Sequence, residues 1–266
     1  MSGCRPTLKW LLHSARGVIL EVLLAISIAT LVVQLCWPAI VSWYNRPHAG
    51  ATVLQRIRLD EGGELAYLLR LPSSFEPAKS YPLVVFLHGS GDRGRNASIL
   101  KRRPPMSLAT RLPKEFVLVA PQCPPHQNWT GALVLPIIDK LSVEFSIDQE
   151  RIYLTGFSMG GFGATSIAAE QPERFAAVVP VAGASHEQAA AKLASIPCWA
   201  FHGEMDDVVP ISVSERFVKI LASRGENVRL TVLPAARHGI DEVVYARADL
   251  WDWMLRQRKT ARYSTN

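Results

Sequence analysis

Apolar residues in this chain fall into short, nearly unbroken runs separated by polar segments with helical spacing. "YPLVVFLHG", "EFVLVAPQ", "RIYLTG", "FAAVVPVAG", "IPCWAFHG" and "VRLTVLP" are rich in Val, Ile and Leu and too short for buried helices. Such runs suit strands covered on both faces of a parallel sheet. Two earlier runs, "TVLQRIRL" and "GELAYLLRL", flank Gly62-Gly63 and predict a hairpin. Helical patterns occupy Gly131–Phe145, Gly160–Gln171, Ile211–Arg224 and Val243–Gln257. Strand alternating with helix predicts an α/β fold: a mostly parallel sheet of eight strands with helices on both faces.

The first 50 residues follow a different pattern. Residues 18–41, "VILEVLLAISIATLVVQLCWPAIV", form one apolar stretch interrupted by a single charge, Glu21. About 20 such residues suffice to span a bilayer as a helix. The apolar part of a cleaved signal is shorter, about 7–15 residues, and ends at a small-x-small site. The nearest such site here, Ala49-Gly50-Ala51, lies well past the run, and Trp37 and Leu35 stand where small residues would be needed for earlier cuts. The expectation is one N-terminal transmembrane anchor, with a cleaved signal and a secreted product as the alternative. Arg5, Lys9 and Arg16 precede the span and Arg46 follows it closely, which places the amino end in the cytoplasm and the rest outside it. The expected organisation is a stub and anchor over 1–44, a linker over 45–52, a catalytic domain over 53–257 and a basic tail over 258–266.

Charge changes the picture only once it is divided by position. Of the net +6, the first 50 residues hold +3 and the segment from Arg256 holds +4, so the body carries −1. A near-neutral body lacks the basic footprint of a nucleic-acid binder. Cys123 and Cys198 in the body show no C-x-x-C spacing, so they read as buried packing rather than as a metal or redox site. The Lys101-Arg102-Arg103 cluster reads as a solvated loop face, with an anionic substrate or lipid headgroup as its alternative partner.

One junction carries candidate chemistry. In "RIYLTGFSMGGFGA" a strand turns directly into a helix through Gly156-Phe157-Ser158-Met159-Gly160. The tight turn presents Ser158 at the carboxyl edge of the sheet, with the Met159 amide facing the same space. A serine hydroxyl is a weak nucleophile and requires a base beside it and an acid to orient that base. "WAFHGEMDDVVP" places Asp206 and Asp207 after a late strand, and "LTVLPAARHGI" places His238 after the next. The order serine, aspartate, histidine is the one this architecture requires. The glycines of "FLHGSGDRG" leave amides free, so one amide from that loop and one from Met159 could stabilise a developing oxyanion. His88 and His202 each close a strand and read as structural.

The set "LHGSGDRG", "APQCPP" with Trp129 following, "RIYLTGFSMGGFGA", "PERFAAVVPVAGA", "WAFHGEMDDVVP" and "RHG" resembles the α/β-hydrolase superfamily. More narrowly, it resembles the phospholipase/carboxylesterase and polyhydroxybutyrate-depolymerase-like esterases and predicted peptidases. The resemblance covers roughly residues 53–257. It implies Ser158 as nucleophile, His238 as base, Asp206 rather than Asp207 as acid, and the amides of Ser90 and Met159 as oxyanion donors. It also implies hydrolysis of small carboxylic esters through an acyl-enzyme, with no metal or nucleotide cofactor. A serine peptidase, an acyltransferase and an inactive membrane-tethered binding protein remain as alternatives. Asp207 is a neighbour at a position where such sequences often have proline. Two departures stand out: Arg237 precedes His238 where relatives usually have glycine, with Gly239-Ile240 following in place of an aromatic, and soluble relatives have no membrane span. The short "SHEQAAAKLAS" segment after "VAGA" has room for one short helix and none for a lid.

Overall fold

The computed structural model describes residues 23, 26–37, 47–60, 62–113, 115–224 and 227–259. Pro47 begins a compact unit separate from the segment before it. β1 (Thr52–Arg58) and β2 (Glu64–Arg70) form the antiparallel hairpin. Its turn passes through Gly62 and Gly63 at φ +88 and +90°, a conformation that only glycine adopts at no steric cost. β2 then pairs antiparallel with β4 (Val117–Pro121), and every later pairing is parallel. With β3 (Tyr81–Leu87), β5 (Ile147–Phe157), β6 (Ala177–Val181), β7 (Cys198–Gly203) and β8 (Val228–Leu233), the sheet runs β1-β2-β4-β3-β5-β6-β7-β8. Three strands separate Cys123, just past β4, from Cys198 at the start of β7, and both thiols are free and buried.

The continuous apolar runs have a direct structural cause. Every residue of β3 is buried, and the alternation of its side chains divides them between two cores. Leu83, Val85 and Leu87 enter one core with Val134, Ile137 and Ile138 of α1 (Gly131–Glu144), Ile167 of α2 (Met159–Glu170) and Phe217 of α4 (Ser212–Ala222). Val84 and Phe86 enter the other. There they meet Leu100, Met106 and Leu108 from short 3-10 turns between β3 and β4, and side chains of α5 (Asp241–Tyr245) and α6 (Ala248–Arg256). The remaining helix, α3 (Glu187–Lys192), is one short turn between β6 and β7.

The single final helix expected over Val243–Gln257 is two helices. Arg247 is extended (φ −75°, ψ 119°), and the Trp251 indole donates to the Tyr245 carbonyl at 2.9 Å. In one continuous helix these residues would lie about 120° apart around the axis. The break lets both rings be fully buried, with the Tyr245 hydroxyl 2.8 Å from Thr155 Oγ1. Burial pays for the interruption.

Of the expected membrane span, 18–41, residues 18–22, 24–25 and 38–41 lie outside the described residues. Its described part, residues 23 and 26–37, is helical, and its large apolar side chains are exposed. Among the described residues no helix is long and apolar enough to cross a membrane.

The packing of α2 against the end of β3 gives a sharp test. A Cβ on Gly160 would fall 1.8 Å from the Leu87 carbonyl oxygen, whereas one on Gly239 would meet nothing within 4 Å. Gly160→Ala is expected to lose at least about 3 kcal/mol or to fail to fold, while Gly239→Ala should stay within about 0.5 kcal/mol of wild type. Urea denaturation of both variants checks the contrast, and comparable stabilities would show that α2 can be displaced without cost.

Candidate active site

Ser158 joins β5 to α2 with φ 53° and ψ −117°. A non-glycine residue held at positive φ costs on the order of 1–3 kcal/mol and persists only where its surroundings enforce it. Here the Ser158 amide donates to the Val181 carbonyl at 2.8 Å, and its carbonyl accepts from Gly161 at 2.8 Å and Phe162 at 3.1 Å. Bare backbone makes room for the turn: a Cβ on Gly156 would sit 2.3 Å from the Gly160 oxygen. The hydroxyl is thereby carried out beyond the carboxyl end of β5.

His238 and Asp206 arrive from the loops after β8 and β7. His238 Nε2 lies 2.9 Å from Ser158 Oγ, and its Nδ1 lies 2.8 Å from Asp206 Oδ2. A carboxylate on Nδ1 fixes the hydrogen there and leaves the Nε2 lone pair for the serine hydroxyl. The Phe157 ring, 5.0 Å from the imidazole, supports it from the elbow side. The two loops are tied together: Met205 donates its amide to the Ala236 carbonyl at 2.9 Å and Ala235 donates its amide to Glu204 Oε2 at 3.1 Å.

The Asp206 side chain is fully buried. Burial alone would raise its pKa, but hydrogen bonds from His238 and from the amides of Val209 and Val208 outweigh it and hold the carboxyl below the usual carboxylate range. Its second oxygen, Oδ1, accepts those two amides at 2.8 and 2.9 Å. Asp207 points elsewhere, pairing with Arg237 at 2.8 Å on the surface. Arg237 and Asp207 are thus partners, one on each loop.

His88 takes the structural place expected of it. It is buried, accepts the Cys123 amide on Nε2 at 3.0 Å and donates from Nδ1 to the Gly89 carbonyl at 2.7 Å. Burial lowers its pKa. His202, also expected to be structural, is buried too, but its Nε2 stands 3.2 Å from Asp206 Oδ2. The sequence signal for that contact was the four-residue spacing from His202 to Asp206, which the strand-end reading did not use. In the basic cluster, Arg103 is bound to Asp92 at 2.9 Å.

A cleft of about 540 Å³ opens beside Ser158, lined among others by Ser90, Arg93, Trp129, Met159, Phe162 and Ser185. Among the described residues the amides of Ser90 and Met159 have no backbone acceptor. Arg93 donates to the Gln127 carbonyl at 2.5 Å and to Asn128 Oδ1 at 2.6 Å, fixing the wall that carries Trp129. A larger cavity, about 730 Å³, lies at the amino ends of β5 to β7 beside Pro172 and Ile196, away from these groups. Among the described residues no group of three His, Cys, Asp or Glu side chains is placed to hold a metal ion.

A parallel sheet with a serine on a strained strand-to-helix turn, and an aspartate and a histidine on later loops, defines a class of protein. The chain has the α/β-hydrolase fold, and residues 132–248 match the family described as Phospholipase/Carboxylesterase. A solved thermostable esterase is similar at 32% identity and TM-score 0.68, covering 78% of this chain and 63% of its own. A probable feruloyl esterase C from Aspergillus clavatus is 27% identical over 164 residues, 58% of this chain and 60% of the relative. A bifunctional acetylxylan esterase/xylanase from Neocallimastix patriciarum is 35% identical over 86 residues, 32% of this chain and 13% of the relative. The chain therefore spans less than two thirds of the length of each of these proteins.

Asp206 makes the site's geometry visible in stability. A folded-state pKa below the unfolded value contributes stability above the unfolded pKa, and that contribution is lost as pH falls through the folded value. Asp206→Asn is expected to flatten the loss of stability below about pH 4, read from urea midpoints at stepped pH. A slope identical to wild type would mean that the carboxylate gains nothing from its donors.

Proposed function

We propose that the chain is a serine hydrolase of carboxylic esters. Ser158 Oγ attacks the ester carbonyl while His238 Nε2 takes its proton, and Asp206 holds the Nδ1 hydrogen and stabilises the imidazolium that forms. The amides of Ser90 and Met159 receive the oxyanion. The tetrahedral intermediate expels the alcohol with the proton returned by His238, leaving an ester on Ser158. Water, deprotonated by His238, then releases the acid. The observation that carries this reading is the unbroken hydrogen-bond chain from Asp206 Oδ2 through His238 to Ser158 Oγ at 2.8 and 2.9 Å. The names of the similar proteins, esterases in each case, support it.

The proposed substrates are short-chain acyl or aryl esters. The connection from β6 to β7 contains only α3, six residues long. The cleft mixes Arg93, Ser90 and Ser185 with Trp129 and Phe162. Such a wall has little continuous apolar surface for a long acyl chain.

Ester hydrolysis by the purified full chain tests both parts. With p-nitrophenyl esters from acetate to palmitate, activity should peak at short chains. Ser158→Ala and His238→Ala should lose about 10³–10⁶ in turnover, Asp206→Asn about 10²–10⁴, and Asp207→Asn less than threefold, roughly the effect of an exposed ion pair. Undiminished turnover in Ser158→Ala would remove the nucleophile, and preference for peptide amides would move the protein to the peptidases.

We further propose that the amino-terminal segment anchors the chain in a membrane. Leu23, Ile26, Ile28, Leu31, Val32, Val33, Leu35 and Trp37 are each more than half exposed, an apolar surface that calls for a covering. The full chain should sediment with membranes and be released by detergent but not by alkaline carbonate. Release by carbonate would replace the anchor with a peripheral helix, and a mature amino terminus beyond Trp37 would replace it with a cleaved signal.

A further inference from the structure

We infer that His202 is a positioning residue for Asp206, setting both the place of that carboxylate and the share of its charge that reaches His238. The inference rests on the proposed hydrolase reading and adds a group that the reading does not use.

His202 closes β7 and is fully buried. Its Nε2 faces two acceptors at once, the Val209 carbonyl at 2.8 Å and Asp206 Oδ2 at 3.2 Å. A lone pair cannot face two oxygens, so Nε2 carries a hydrogen; it is donated to the Val209 carbonyl, and the same N–H stands beside Asp206 Oδ2. On the other side of the ring, Nδ1 lies 2.7 Å from the hydroxyl of Ser214, a buried residue in the first turn of α4. One side chain therefore ties the end of β7, both sides of the 204–210 loop and the start of the next helix.

The consequence for chemistry lies at Oδ2. That oxygen faces His238 Nδ1 at 2.8 Å and His202 Nε2 at 3.2 Å, while Oδ1 takes the two amides. The buried carboxylate thus takes three N–H donors and has the His202 N–H as a fourth polar neighbour. Each donor withdraws some of the negative charge available to the others. Removing the His202 donor concentrates that charge on the Nδ1 hydrogen of His238 and favours the imidazolium. Since His238 must be unprotonated to accept the serine proton, the acid limb of kcat/KM must then move to higher pH. The charged group against His238 is Asp206, and the exposed Arg237–Asp207 pair is made by the residues next to them in sequence; against His202 stand Asp206 and the polar Ser214.

The test uses the full-length chain and four proteins: wild type, His202→Leu, His202→Gln and Ser214→Ala. Gln can place an amide N–H where Nε2 stands, whereas Leu cannot. In His202→Leu, kcat is expected to fall about 10–100-fold with KM little changed, as for other groups that orient a catalytic residue from behind. Its acid limb should rise by roughly half a pH unit or more. His202→Gln should recover most of both. If His202→Leu does not fold, Ser214→Ala decides, because freeing the ring should move the limb in the same direction by a smaller amount. An acid limb at the wild-type position in folded His202→Leu overturns the inference, as does His202→Gln impaired as severely as His202→Leu. If His202→Leu is unfolded, an unmoved limb in Ser214→Ala overturns it. These failures leave the hydrolase reading standing so long as Ser158→Ala is inactive and wild type reacts with a fluorophosphonate. Loss of that background instead removes the reading itself.

Discussion

The site depends on one close approach: α2 lies so near the end of β3 that a methyl group on Gly160 would overlap the Leu87 carbonyl. That contact draws the start of the helix over the sheet and leaves Ser158 only a positive φ in which to connect the two elements. The strain is confined to one residue because the surrounding glycines and the Val181 carbonyl hold everything else in place. Without the contact the turn could relax, and the hydroxyl would leave the reach of His238.

Around this fixed point the other groups are placed by loops rather than by packed elements. The loop after β7 carries the carboxylate and the loop after β8 the imidazole, and neither has secondary structure at the residue concerned. Their order comes from hydrogen bonds between them and from the Arg237–Asp207 pair on the outside. An exposed pair of this kind contributes little stability. Its effect is geometric, closing over a short span that includes both catalytic candidates.

Much of this was legible in the sequence because the governing constraints are local. Unbroken Val and Leu runs mark strands covered on both faces, and the glycines around Ser158 mark a place where two backbones nearly touch. The serine, aspartate and histidine could be assigned to strand ends one by one, and the hydrogen bonds join those three residues. What escaped was set by contacts distant in sequence. The break at Arg247 is driven by an indole reaching back to a carbonyl while Tyr245 packs under Thr155, which no helical periodicity records. The core contribution of Leu100, Met106 and Leu108 comes from a stretch whose polar and cationic residues read as a surface loop. The tie from His202 to Asp206 was missed because a histidine at a strand end gives no sign of which way its ring turns.

The order of the three residues along the chain carries a temporal consequence. Ser158, Asp206 and His238 are contributed by β5, β7 and β8, successive neighbours towards one edge of the sheet with only β6 between them. As the chain leaves the ribosome, the strained serine can form once β3, β5, α2 and β6 meet, yet the hydrogen-bond chain behind it cannot close until β8 has docked on the edge. A nascent molecule therefore passes through a stage in which its elbow is built and its hydroxyl has no base. The edge strand acts as a late-arriving key, and the hydrogen-bond chain from Asp206 to Ser158 is whole only when the sheet is nearly complete.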